Sequence, residues 1–134
     1  MSATNIEYNL YQYLITEFSS YVFTVNGKGI STPDEVIEIN GSGGVSGAWY
    51  DRNDYRIQLL IHAKSSVDAN YKALTLFEKL EKRFGLTLPS ITVNGTVYPA
   101  VKTYQILAIQ TPGYIGVDDV GCEMFSFNIT LTTK

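Results

Sequence analysis

Apolar residues recur along this chain with two different periods, and the switches between them divide it into elements. Ile6, Leu10, Leu14 and Phe18 stand four apart with Tyr13 beside them, the spacing of one helix face. Thr4-Asn5-Ile6-Glu7 fits a capping box, in which a threonine hydroxyl and a glutamate satisfy each other's backbone amides, so a helix is predicted from about Asn5 to Ser19. A short β-branched and aromatic run, Tyr21 to Val25, follows, then the loop-like NGKGISTPD and a second short strand from Val36 to Asn40. GSGGVSG offers almost no side chains to pack and reads as an adaptable loop ending near Trp49 and Tyr50. From Tyr55 to Ala63 the period becomes two: Tyr55, Ile57, Leu59, Ile61 and Ala63 share one face, and Arg56, Gln58, Leu60 and His62 the other.

Ser65-Ser66-Val67-Asp68 opens a second helix, whose expected apolar stripe is Ala73, Leu74, Phe77, Leu80, Glu81 and Phe84, ending at Gly85. Glu78 and Lys82 would add a surface pair worth about 0.2–0.5 kcal/mol, against roughly 1.5–3 kcal/mol for each buried Leu or Phe. Burial therefore holds this helix. Asn94-Gly95 in ITVNGTVY is a strong hairpin signal, because a type I′ turn needs positive φ at both central residues. Pro99 then interrupts or edges the sheet. Lys102 to Gln110 and the alternating run Phe125, Phe127, Ile129, Leu131 complete the strands. Between those two lies QTPGYIGVDDVG, too long and irregular for a simple hairpin turn, which reads as a loop. The order implies a single α+β domain over 1–134, a mainly antiparallel sheet with both helices packed on one face.

Composition narrows the partners. Charged residues make up 17% and the net charge is -3, which counts against gripping a phosphate backbone, where clustered Lys and Arg are expected. Apolar runs are strand-sized, so no membrane span is expected. A single cysteine, Cys122, permits no internal bridge, and without a secretory signal a reducing compartment is the expectation. Ten tyrosines suit both a β-rich core and an interface, since each joins an apolar ring to a hydrated hydroxyl.

Catalytic and metal chemistry find little support. His62 and Cys122 are the only members of a tempting nucleophile pair, but no orienting group or oxyanion loop accompanies them, and a strand histidine is more often a hydrogen-bonded or solvent-facing sheet residue. Asp51, Asp54, Asp118 and Asp119 lack calcium-ligand spacing and read as turn and capping residues. Neither GSGG nor NGKG precedes a helix as a phosphate loop does. No enzyme activity, cofactor or metal is expected.

The stretch QTPGYIGVDDVGCEMFSFNITL, with Pro112, Tyr114, Gly116, Asp118, Gly121, Phe125 and Asn128, resembles the ending of the tail-terminator or minor capsid proteins of long-tailed (siphovirus-type) bacteriophages. WYDRNDYRIQLLIHAKSS followed by ANYKALTLFEKLEKRFG is similar to the middle of that family, and the opening amphipathic helix completes the likeness. The pattern has a basic or polar residue where this chain has Cys122. The resemblance implies a structural virion protein that forms a homo-oligomeric ring, hexameric in the family, at the head-proximal end of the tail. Assembled in the host cytoplasm, the ring stops tail-tube polymerisation, meets the head connector or neck protein, and lets DNA pass without specific binding.

In such a ring each subunit uses two different patches. The loop 110–121 could lay Tyr114 and Ile115 on a neighbour, with Pro112 restricting the backbone and Asp118 and Asp119 at its end. Alternatively, Tyr114 and Ile115 fold back over their own sheet. Trp49 and Tyr50 either anchor on a partner or cap the domain's own core. Rival functions are a head-completion or neck protein, a small-ligand or enzyme domain with its pocket between helices and sheet, and an adaptor without a viral role.

Overall fold

The computed structural model describes residues 6–27, 32–46, 53–108 and 110–133, with only the backbone described over 42–46. Its elements in order are α1 (Ile6–Glu17), β1 (Phe23–Val25), β2 (Ile37–Ser46), β3 (Asn53–Ala63), α2 (Ser66–Leu80), β4 (Lys82–Phe84), β5 (Thr87–Leu88), β6 (Ile91–Val93), β7 (Thr96–Tyr98), β8 (Val101–Ala108), β9 (Gly113–Val117) and β10 (Glu123–Thr133). The main sheet runs β1-β2-β3-β10-β8-β4, with β5 also on β8 and β9 also on β10. It is antiparallel except for β1 beside β2. The α+β architecture read from the hydrophobic pattern is the one observed.

Alternation in the central strands decides where the core lies. Register sets Ile61 opposite Phe125, Leu59 opposite Phe127 and Ile57 opposite Ile129, while Ile37 and Ile39 of β2 meet Ile61 and Leu59 from the other side. These residues share one face, and α1, through Ile6, Leu10 and Leu14, and α2, through Ala69, Ala73, Leu76 and Leu80, join them in one buried cluster. Among the described residues the opposite face carries no helix. It presents Arg56, Gln58, His62, Ser126, Asn128 and Thr130.

Three expectations change. GSGGVS is not a loop: β2 continues through Ser46 beside β3, with one extra residue bulged between Gly41 and Gly44. A backbone ladder needs no side chains, so a glycine-rich run can pair when a long neighbour such as β3 supplies the partner groups. The second helix ends at Leu80, not at Gly85, because Lys82 to Phe84 leave it to pair with Leu107, Ile106 and Gln105 at the sheet edge. Lys82 is therefore outside the helix and makes no i,i+4 pair with Glu78, and Phe84, expected in the buried stripe, is 70% exposed. The helix meets the sheet on Ala69, Ala73, Leu76 and Leu80, which leaves Leu74 outside. Small residues allow the close approach, so bulk alone misplaced the stripe. Its start is as expected: Ser65 accepts a hydrogen bond from the Asp68 amide.

Asn94 and Gly95 have φ of 50° and 80°, as a type I′ turn requires, and join β6 to β7. The base of this hairpin is tied to α1 by the buried Asn9, whose amide donates to the carbonyls of Pro89 and Pro99, both at 3.0 Å. Tyr8 packs on Tyr98 above it.

Candidate assembly interface

The third change concerns QTPGYIGVDDVG. Residues 113–117 form a strand, β9, on the same side of β10 as β8. Ala108 faces Ile129 and Gly113 faces Ser126, so five steps along one side match three along the other. The chain from β8 to β10 is thus one long hairpin, interrupted around Gln110 to Pro112. A second irregularity leaves Ile115 as an extra residue between Tyr114 opposite Phe125 and Gly116 opposite Met124. Gly116 there takes φ 124°, a conformation that side chains rarely adopt. We call β9 and the turn after it the arm.

The arm's turn is built around one carboxylate. Asp118 Oδ1 accepts hydrogen bonds from the amides of Val120 at 3.0 Å and Cys122 at 2.8 Å. Its own amide donates to the Cys122 carbonyl at 2.8 Å, and the Gly121 amide donates to the Asp118 carbonyl. The second oxygen, Oδ2, lies 2.8 Å from His62 Nδ1 on β3. His62 Nε2 contacts Glu38 Oε2 on β2. All three side chains are nearly buried, at 4%, 10% and 8% exposure for His62, Glu38 and Asp118. A buried polar cluster on the helix-free face therefore joins the arm's turn to the middle of the sheet.

The strand itself is different. Tyr114, Ile115, Val117 and Val120 are 53%, 51%, 54% and 52% exposed. β9 pairs only with β10 among the described residues, so its outer edge is open. Tyr114 lies edge-on to Phe125 and donates its hydroxyl hydrogen to Glu123 Oε2 at 2.5 Å, which raises its pKa above the usual phenol value. Tyr114 thus touches its own sheet, as the fold-back alternative has it, and still shows half its surface. Pro112 is half-buried beside Gly113, and Asp119 stands in solvent while Asp118 turns inward. Trp49 and Tyr50, with Asp51, lie outside the described residues.

The remaining candidates do not converge. Cys122 is buried, its Sγ 3.7 Å from the Asp34 carbonyl, and both His62 nitrogens face carboxylates, so the ring has no open nitrogen to take a proton from a thiol. Asp54 accepts from Thr132 at the far end of β3 from Asp118, so these acids cannot share an ion. A groove of about 510 Å³ lies between α1, β1 and β6, walled by Tyr8, Tyr11, Phe23, Val25, Ile91 and Val93, with no carboxylate, amine or imidazole among its described lining residues.

The His62 cluster escaped the sequence reading. Alternation places Glu38 and His62 on polar faces of their strands, but only the register makes them neighbours. Also unexpected is the exposed stripe of Val67, Tyr71 and Leu74 along the outside of α2. No protein-family model matches the chain, and no curated protein is significantly similar to it.

Proposed function

We propose that this chain is a structural subunit of a long-tailed bacteriophage that closes into a ring at the head-proximal end of the tail tube. There it halts tube polymerisation and offers a face to the head connector. The observation that carries this reading is the arm: a strand open-edged among the described residues, whose Tyr114, Ile115 and Val117 are about half exposed, extended beyond the helix-covered part of the sheet. An apolar strand with unpaired backbone groups is a pairing template that proteins usually cover. Docking on a neighbouring copy covers it, and a heterologous contact of this kind makes a closed ring when the rotation between copies returns to its start. The sequence resemblance supplies the phage context.

Solution mass and electron micrographs of the purified protein test the proposal, alone and mixed with tail tubes. Discrete rings, and tubes capped at one end, are expected. Replacing Ile115 and Val117 together by Asp and Lys places charge on the open edge and should leave monomers. Wild-type protein that stays monomeric at high concentration and caps no tube overturns the reading. Rings that bind the head portal but not the tube would instead favour a neck protein.

A further inference from the structure

Carboxylates only accept hydrogen bonds, and a neutral imidazole carries one N–H. Yet Glu38 and Asp118 approach opposite nitrogens of the same ring, with side chains only 10% and 8% exposed. Two acceptors call for two donors, which makes the ring an imidazolium unless one acid holds a proton. Asp118 adds the geometry that gives this charge a use. One of its oxygens organises the arm's turn through the Val120 and Cys122 amides, and the other faces His62. The ring therefore grips the turn through the very carboxylate that shapes it, and through Glu38 it is anchored to β2.

We propose that His62 is the positioning residue of the arm: a doubly protonated ring that clamps the Asp118 turn onto β2 and β3 and so presents β9 in a fixed direction for docking. The docking half of this statement rests on the ring-forming function proposed above; the clamp does not. Prior ordering matters because a strand that is already fixed loses less conformational freedom when it meets its partner. The apolar residues of β9 are too exposed to supply that order, which comes from its ladder with β10 and from the turn that the buried cluster holds.

The chain has a single histidine, so nitrogen NMR of imidazole reports on His62 alone. Near neutral pH both ring nitrogens should carry hydrogen in the wild-type protein. In Asp118→Asn the new amide donates to Nδ1 while its oxygen keeps the turn, so the ring should become neutral with hydrogen on Nε2, facing Glu38. In Glu38→Gln the other tautomer should appear, with hydrogen on Nδ1. His62→Leu takes the imidazole from between Glu38 and Asp118, and the Val120 and Cys122 amides should exchange on the order of tenfold faster or more, while those at the centre of β3 keep their protection.

A neutral ring in the wild type overturns the clamp, as does unchanged exchange at Val120 and Cys122 in His62→Leu. Should that variant fail to fold, the tautomers of the two amide variants decide. Assembly is read separately: a loosened arm that still forms rings at the wild-type concentration overturns the link between clamp and docking. If wild-type protein forms no rings while the NMR signature is as expected, the ring-forming function falls and the clamp stands.

Discussion

β10 belongs to two regions of this molecule that use similar residues for opposite ends. Its second half sets Phe127, Ile129 and Leu131 beneath α2, at most 2% exposed, whereas its first half carries the arm, where Tyr114, Ile115 and Val117 are more than half exposed. Hydrophobicity does not separate the two. What separates them is cover: α2 lies over the strands where β8 pairs with β10, and among the described residues no helix follows the hairpin out to β9. In the first region apolar burial holds the structure. In the second, a backbone ladder and a polar turn hold it, and the apolar side chains remain available.

The sharpest break between them is expected from paired truncations. Leu59→Ala removes a fully buried side chain from the centre of β3 and should destabilise the fold by about 2–5 kcal/mol, read as a lowered denaturant midpoint. Ile115→Ala should change the stability by no more than about 0.5 kcal/mol yet, under the proposed function, raise the concentration at which rings form. Equal losses of stability at the two positions would show that the arm is part of the core after all.

A buried polar tie gives an intermediate effect. Asn9→Ala takes the donor from the Pro89 and Pro99 carbonyls and should cost about 1–3 kcal/mol, the net worth of two hydrogen bonds at about 0.5–1.5 kcal/mol each. Since Asn9 belongs to the helix-covered region, this loss should appear in global unfolding. Gly116→Val on the arm strains a φ of 124° by an amount of similar order, about 1–3 kcal/mol, but the chain can escape it by opening the arm alone. Faster exchange at Ile115 and Val117 with a nearly unchanged midpoint is the expected result. A full loss in the midpoint would mean that arm and core unfold together.

The same division explains what could be read from sequence. Period-two alternation in β3 and β10 and the four-residue spacing in α1 come from burial on one face, so the core was legible. Asn94-Gly95 was legible because only a few residues accept its φ values. The arm was not, since Gly113 to Val117 is ordered by pairing with Glu123 to Ser126 across an irregular, bulged hairpin rather than by an alternating apolar pattern of its own. The glycine run of β2 was missed for the same reason. His62 stood out as a lone histidine, but recognising Glu38 and Asp118 as its partners required knowing which residues of β2 lie beside β3 and where the turn folds over.

The smallest effect should come from the phenol of Tyr114. Its hydrogen bond to Glu123 favours the protonated form and raises its pKa above the ordinary value of 10.0. A raised value in the folded state means that the contact stabilises fully below the unfolded value, and that this contribution fades as pH climbs through the folded one. Glu123→Gln removes the charge and should let Tyr114 ionise at lower pH. Ten tyrosines titrate together, so the measurement is the absorbance difference between each protein and its Tyr114→Phe partner, taken under dilution where the subunits are separate. No change in the Tyr114 midpoint would mean that the ring swings free of Glu123 and Phe125 in solution. The arm would then be ordered by its backbone and the Asp118 turn alone, with its aromatic side chain left to the docking contact that the proposed function calls for.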